Sequence, residues 1–304
     1  MKYLFIVNPI AGGSDHTEQI RAMAEKAFLS RPDDEYEIYV TKAKGDDMLE
    51  VRRRAESCEK LFIFSCGGDG TFNGCCNGAA NHENIAVAPF PVGTGNDFCR
   101  MFGAQKDLYL DLEALLDGSV HKIDLAEVNG RYSACIASIG FDARVGINVH
   151  KYSSLPFCKG PGAYIASLAV ETFRGLTRNV RITCGDFSYQ GPYTLCAVCN
   201  GRYYGGGFEP APNAMPDDGI LDIILVRKIS LPVFAANLSK YKNGQGDTIP
   251  KYFTHLRGDH VSFEFDEDSV INCDGEEMHG KTVDITLHSK CLNLIIPKGL
   301  TFFS

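Results

Sequence analysis

Residues Gly67-Gly68-Asp69-Gly70-Thr71 set one acid among three glycines, directly after the apolar run Leu61-Phe62-Ile63-Phe64. Glycines at this spacing let successive backbone N–H groups converge on an anion, and a helix opening over 72–80 adds a favourable dipole for phosphate. A bare carboxylate in such a loop would repel phosphate, so Asp69 implies a bridging cation, and Mg²⁺ suits oxygen ligands. The same residues also suit a tight strand-to-helix turn that binds nothing. A second loop, Gly93-Thr94-Gly95-Asn96-Asp97-Phe98, follows the next apolar run, Ile85–Pro89. Thr94, Asn96 and Asp97 supply a hydroxyl, an amide and a carboxylate. Asn96 or Asp97 could equally be the N-cap of a helix through Arg100 and Met101.

Two such loops after consecutive strands belong at the carboxyl edge of a parallel sheet, where these folds bind ligands. The first 120 residues bear this out in pattern, alternating strand-like and helix-like segments. Tyr3–Val7 reads as a strand, and Ile20, Met23, Ala24, Ala27 and Phe28 recur at helical spacing. Tyr36–Val40, a polar helix over 46–59, Leu61–Ser65, Ile85–Ala88 and a helix over Tyr109–Leu116 continue the alternation, which predicts a doubly wound α/β domain. After about Val120 the character changes. The runs Arg131–Ile139, Val180–Cys184, Tyr193–Asn200, Ile220–Val226, Val261–Phe265, Val270–Cys273 and Val283–Leu287 are short, strand-like and separated by glycine-rich turns. Helical segments are expected at 162–174 and 231–242. This half predicts an antiparallel β-sandwich or barrel.

Composition narrows the function. A chain of 304 residues exceeds the usual single domain, and 44% hydrophobic residues can fill two cores. A net charge of −8 without a basic stripe argues against nucleic acid as a partner. The opening segment is too short for a signal peptide, and no run of 18 apolar residues exists, so a soluble, cytoplasmic protein is expected. The twelve cysteines sit mostly in apolar runs and read as reduced core thiols. Cys196 and Cys199 form a Cys-x-x-Cys on an extended run, where residues three apart face opposite ways, and the histidines show no metal-ligand spacing.

Gly-Gly-Asp-Gly-Thr at 67–71 paired with Gly-Thr-Gly-Asn-Asp-Phe at 93–98 resembles the diacylglycerol kinase catalytic-domain family, which includes bacterial soluble lipid kinases and sphingosine kinases. Three further stretches extend the resemblance: Asn8-Pro9-Ile10-Ala11-Gly12, Lys122-Ile123-Asp124, and Ala211 through Asp222. Cys273-Asp274-Gly275-Glu276 completes it. The resemblance implies a nucleotide-binding α/β domain over 1–122, completed by a returning strand in 293–304, and a β-sandwich acceptor domain over 123–292, with the active site in a cleft. It implies ATP as phosphoryl donor and Mg²⁺ as its metal. Asn8, Gly12, Thr41, Gly67, Gly68, Asp69, Gly70, Thr71, Asn73, Thr94, Asn96 and Asp97 are the nucleotide-binding candidates, although a threonine at a strand end, as Thr41 is, is usually structural. Asp69 and Asp124 are implied in a catalytic Mg²⁺ network. Asp124 lies between Ile123 and Leu125, where an acid needs a partner, and a strand-end salt bridge would serve as well. Glu276 is implied as the general base toward a lipid hydroxyl, with Asp69 the other catalytic acid. Asp274-Gly275 is itself a strong hairpin-turn signal. The Asp218 carboxylate with carbonyls near Met215 and Ile220 is implied as a structural Mg²⁺ site.

One position departs from the family. A lysine commonly follows the first loop's glycine, and Gly13 stands there, leaving Arg100, Lys42 or Lys44 to compensate. The expected activity is transfer of the γ-phosphate of ATP to a lipid hydroxyl, diacylglycerol giving phosphatidic acid. The competing readings are a kinase for a sphingoid base, monoacylglycerol or phosphatidylglycerol, an NAD kinase, and a catalytically weak lipid- or nucleotide-binding protein. Partners implied are a membrane lipid met by peripheral contact at the inner face of the membrane, and a second copy pairing through an edge strand as a homodimer. Phe141, Tyr152, Phe157, Tyr164 and Phe173 could line an acceptor pocket, with ordinary core packing the alternative for each.

Overall fold

The computed structural model describes residues 1–57, 60–153 and 161–303. The chain forms two compact units, one of Met1–Leu125 with Ser289–Ser304 and one of Ala126–His288.

The first unit is a parallel α/β sheet. Its strands are β1 (Lys2–Val7), β2 (Glu35–Val40), β3 (Leu61–Gly67) and β4 (Ile85–Pro91), ordered β2-β1-β3-β4. β5 (Ser119–Val128) carries the chain out of this unit. β1, β3 and β4 are almost continuously apolar and buried, as strands covered by helices on both faces must be. Helices α1 (Thr17–Phe28), α2 (Asp46–Ala55) and α3 (Asp69–Ala79) connect them. The sheet core is aromatic on one side: Phe28 lies 4.6 Å from Tyr36 and Phe5 5.0 Å from Phe64, centroid to centroid. Because β2 lies on one side of β1 and β3 on the other, the loops after β1 and β3 open at the topological switch point.

Helix α3 begins at Asp69, three residues earlier than the pattern over 72–80 indicated. The helix expected over 109–116 is split. A 3₁₀ segment, Gly103–Leu110, ends at Asp111, and α5 (Leu112–Leu116) follows the four-residue α4 (Asp97–Arg100) in the helix series. Asp111 is the cause, since its extended backbone and its side chain, which accepts from Ala114 N–H at 3.1 Å, make it an N-cap.

The second unit is antiparallel and β-rich. Arg131–Ile139 is broken into β6 (Arg131–Ser133) and β7 (Ile136–Gly140). Two helices follow, α6 (Phe141–Ser153) and α7 (Pro161–Phe173), and then β8 (Arg178–Cys184), β9 (Phe187–Cys199) and β10 (Leu221–Arg227). After α8 (Leu231–Lys242) come β11 (Phe253–Gly258), β12 (His260–Cys273) and β13 (Glu276–Ile296). β9 and β12 are long strands that bracket β7 toward one end and β8 toward the other. β13 carries the chain back into the first unit, where Asn293 and Leu294 pair in parallel with Ala86 and Val87 of β4. The described cysteines are free thiols, all buried except the half-buried Cys291.

Helix α6 has a strand-like sequence. Phe141, Ala143, Val145 and Ile147 are buried at period two, with Asp142, Arg144, Gly146 and Asn148 between them. The helix is stable because Arg144 and Asn148 on its polar side are held by the neighbouring helix. Glu171 of α7 is fully buried and bonds Arg144 at 3.0 Å, Arg174 at 2.8 Å and the Asn148 amide at 3.1 Å. Removing one partner of such a buried pair leaves the other charge unpaired, which costs about 3–5 kcal/mol. Glu171→Ala is therefore expected to lower the urea midpoint of the second unit, followed by circular dichroism, by that much stability. An unchanged midpoint would show that the pair contributes nothing.

Candidate functional site

Three loops of the first unit meet outside the carboxyl ends of β1, β3 and β4. The chain leaving β1 is tied to β3, because Asn8 N–H bonds the Cys66 carbonyl at 3.0 Å. The Asn8 amide then donates to Thr71 Oγ1 at 3.2 Å, and its carbonyl oxygen accepts from Ile10 N–H at 3.1 Å. Gly12 holds φ +66°, and a Cβ there would stand 2.6 Å from the Val92 carbonyl oxygen. Gly93 donates its N–H to the Gly67 carbonyl at 3.0 Å, and a Cβ on Gly93 would lie 2.5 Å from Gly68 Cα. Backbone therefore packs on backbone through all three loops, and neither position admits a side chain.

Asp69 opens α3, with Gly68 in extended conformation before it. Its Oδ1 accepts from Asp97 N–H at 2.6 Å, and so ties the start of α3 to the start of α4. Asn96, at φ +53°, donates its amide to the Gly93 carbonyl at 2.8 Å. Arg100 donates to the Gly95 carbonyl at 3.1 Å and pairs with Asp97 at 3.1 Å. Thr94 is exposed. The helix-start N–H groups of α3 have no intrahelical acceptors, so this end of the unit has the donors and the dipole that a phosphate needs.

Other candidates stand apart from that cluster in their bonding. Thr41 donates both N–H and hydroxyl to the Val7 carbonyl, at 2.9 and 3.3 Å. Asn73 is buried in α3, where its side-chain oxygen accepts from Asn77 at 3.1 Å. Asp124 is 1% exposed and accepts from Lys290 N–H at 2.7 Å, where β13 takes a left-handed φ of +53°. Among the described residues, no group of three or more His, Cys, Asp or Glu side chains is arranged to hold a metal ion. Mg²⁺ takes few carboxylates and keeps several waters, so the oxygen donors of Asp69 and Asp124 are of a type that fits it.

In the second unit, Asp274 and Gly275 form the two-residue turn between β12 and β13, both at positive φ. The Asp274 carboxylate does more than make that turn. It accepts from Ser133 Oγ at 2.9 Å and from the N–H groups of Ala134 at 2.7 Å, Cys135 at 3.2 Å and Ile136 at 2.9 Å. These donors lie at the break between β6 and β7, so this carboxylate replaces the ladder there. Burial pushes its carboxyl up from the ordinary range, against the lowering effect of those donors. Glu276, half-buried, is the first residue of β13, opposite Cys273. Asp218 accepts from Ile220 N–H at 3.1 Å and from the Arg257 guanidinium at 2.8 Å. A carboxylate already neutralised by a guanidinium does not fit a bare divalent cation while Arg257 stays in place. Nearby, the Met215 sulfur and the Ala214 carbonyl both meet Arg202.

The second unit also holds a cavity of ≈ 60 Å³. Phe141, Val145, Leu168, Phe208, Phe234 and Leu238 form its apolar wall, and Asp142, Tyr204, Tyr241 and Asn272 its polar part. The Tyr204 hydroxyl donates to Asp142 Oδ2 at 2.7 Å and lies 2.8 Å from the Tyr241 hydroxyl. Of the aromatics expected at a pocket, Phe141 lines this one. Phe173 is 93% exposed and lines no part of it, because it ends α7 on the solvent side. The side chains of Tyr152, Phe157 and Tyr164 lie outside the described residues. Asp142 and Tyr204 gave no sequence signal beyond a polar residue after Gly140-Phe141 and a tyrosine before the glycine triplet.

Residues 2–128 match the diacylglycerol kinase catalytic domain, and residues 135–296 match the YegS C-terminal NAD kinase beta sandwich-like domain. A Pseudomonas aeruginosa protein named "Probable lipid kinase YegS-like" is 30% identical over 266 residues, 87% of this chain and 86% of that one. The chain belongs to the family of diacylglycerol kinase-like lipid kinases. A similarly named protein of Shewanella frigidimarina is 27% identical over 294 residues, 93% of this chain and 85% of its own. A crystal structure titled as a diacylglycerol kinase from Bacillus anthracis superposes with a TM-score of 0.70 at 26% identity, covering 99% of this chain and 98% of that one.

Gly13 stands where the resemblance implies a lysine. Gly13 has φ +79° and open space around it, and Arg100 is the cation that the structure sets against the second glycine loop. Two variants test the loop geometry. Gly93→Ala forces its Cβ onto Gly68 and is expected to weaken ATP binding at least tenfold by calorimetry, with the fold retained. Asp274→Ala strands a hydroxyl and three backbone N–H donors, at about 1–3 kcal/mol for each group left unsatisfied. It is expected to shift the urea midpoint far more than Asp274→Asn, which keeps one acceptor oxygen.

Proposed function

We propose that this family member transfers the γ-phosphate of ATP to a hydroxyl group of a membrane lipid. The observation that carries the reading is the stack of backbone at Gly12, Gly67–Gly68 and Gly93, placed at the switch point of a parallel sheet beside the start of α3. In this reading the first unit binds the nucleotide, and the second binds the lipid and supplies Glu276. Family membership implies ATP as the donor. Mg²⁺, when bound, would neutralise charge on the phosphates, and Asp69 and Asp124 are the carboxylates that would hold it.

The chain's own residues have distinct tasks. The N–H groups after Gly67 and at the start of α3 orient the phosphates, and the Asn8–Thr71 bond fixes the first loop against them. Asp69 keeps α3 and α4 in register through Asp97 N–H. Glu276 accepts the proton of the lipid hydroxyl as its oxygen bonds the γ-phosphorus and the bond to the ADP oxygen breaks. Met215, Asp218 and Ile220 are a structural-metal candidate whose occupation requires Arg257 to swing away.

The solved relative titled a diacylglycerol kinase supports diacylglycerol as acceptor, giving phosphatidic acid. Monoacylglycerol, phosphatidylglycerol and a sphingoid base compete with it. Among the described residues no helix is long and apolar enough to cross a membrane. In this reading the lipid is met by peripheral contact at the inner face of a cytoplasmic membrane. A homodimer through an edge strand belongs to the same proposal. The test is transfer of labelled phosphate from ATP to each lipid, and to NAD, in mixed micelles with Mg²⁺. Glu276→Gln is expected to lower kcat by about 10²- to 10⁴-fold with ATP binding intact. Undiminished turnover in that variant would remove the base assignment, and turnover of NAD without lipid would overturn the proposal.

A further inference from the structure

The cavity of the second unit has a property that an apolar lipid chain alone does not explain. At its polar end, Asp142 Oδ2 is satisfied by Tyr204, whereas the buried Oδ1 receives no hydrogen bond of good geometry. The Tyr204 and Tyr241 hydroxyls, 2.8 Å apart, form a chain that ends on this carboxylate. Burial pushes the Asp142 carboxyl up to about 6, against the lowering effects of the Tyr204 and Ser138 hydroxyls and of the N–H groups of Ala143 and Asp142 itself, so at neutral pH it is chiefly ionised. Both tyrosines are raised well above their ordinary values by burial and stay neutral donors. An oxygen that its neighbours meet only in poor geometry keeps capacity for a well-aligned ligand donor, which would recover part of the cost of its burial.

The cavity is also connected to the proposed base within the same unit. Asn272 lines it and accepts from Gly275 N–H at 2.7 Å, and Gly275 immediately precedes Glu276. Its volume would hold several waters or a short stretch of alkyl chain.

We propose that Asp142, held by Tyr204 and Tyr241, binds a hydroxyl or amine of an amphiphilic acceptor whose apolar part lies against Phe141, Phe234 and Leu238. This rests on the lipid kinase reading and narrows it. The hydroxyl that receives phosphate gives its proton to Glu276, so the donor to Asp142 is a second one. Diacylglycerol has a single hydroxyl and otherwise only ester acceptors. The favoured acceptor class is therefore a lipid with at least two donors, such as a monoacylglycerol.

The decisive measurement needs neither ATP nor turnover. The isomers 1-octanol and heptyl methyl ether have equal size and near-equal apolar surface, and only the alcohol donates. Saturation-transfer NMR titration of the full chain at neutral pH should give the alcohol an affinity advantage of about tenfold or more, as expected for a hydrogen bond to a charged group. Asp142→Asn and Tyr204→Phe, checked for folding by circular dichroism, should shrink that advantage below about threefold. Equal binding of alcohol and ether by the wild-type chain would overturn the proposal without any variant, and would leave the kinase reading intact. In mixed micelles, monooleoylglycerol should show a lower KM than dioleoylglycerol, and the difference should disappear in Asp142→Asn. An alcohol preference without phosphate transfer to any lipid would sink the kinase reading and keep the donor site.

Discussion

Gly93 and Gly68 approach so closely that a methyl group between them would stand 2.5 Å from a neighbouring Cα, and the loops at the carboxyl ends of β3 and β4 are organised around that approach. With no side chains interposed, the loops after β3 and β4 can share one hydrogen bond, Gly93 N–H to the Gly67 carbonyl, and present the start of α3 beside it. Gly12 then lies over Val92 under the same constraint. Phosphate groups bound to backbone need this geometry. A side chain would hold the anion away from the N–H groups and leave buried donors unsatisfied.

Acids fix these loops as much as glycines do. Asp69 bonds Asp97 N–H, Asp124 bonds Lys290 N–H, and Asp274 bonds the N–H groups of residues 134–136. Each joins two stretches that are distant in sequence, and each accepts from the backbone where regular structure is interrupted. A carboxylate is suited to this because it offers two oxygens and strong, charge-assisted acceptors. Two of these acids, Asp69 and Asp124, are also the carboxylates that the resemblance implies for a Mg²⁺ network, so structural and chemical roles overlap in single residues.

The first unit was legible because its signals are local. Strands buried on both faces are apolar runs, and the glycine loops directly follow them. The second unit was legible as β-rich but not in its details. Arg131–Ile139 reads as one strand because nothing nearby in sequence reveals that Asp274, some 140 residues later, takes the N–H groups at its centre. Helix α6 was hidden by a period-two pattern, since its polar residues are satisfied from α7 and Tyr204. β13 has the sequence pattern of two strands, Val283–Leu287 and a returning strand in 293–304, and its continuity depends on pairing first with β12 and then with β4. The polar end of the cavity was invisible for the same reason: Asp142, Tyr204 and Tyr241 come together from well-separated segments.

This overlap of roles decides how the acids must be probed. An alanine at Asp69 removes an acceptor from Asp97 N–H as well as a charge, and lost activity would follow from either change. Asparagine keeps an oxygen for that N–H and removes only the charge. If Asp69→Asn retains ATP affinity without Mg²⁺ and loses the additional affinity that Mg²⁺ confers, the carboxylate acts on the cation. If both affinities fall together, its contribution is the loop geometry. The same reasoning applies to Asp124 and its bond to Lys290. There the amide variant preserves the bend in β13, so that any remaining defect belongs to charge alone.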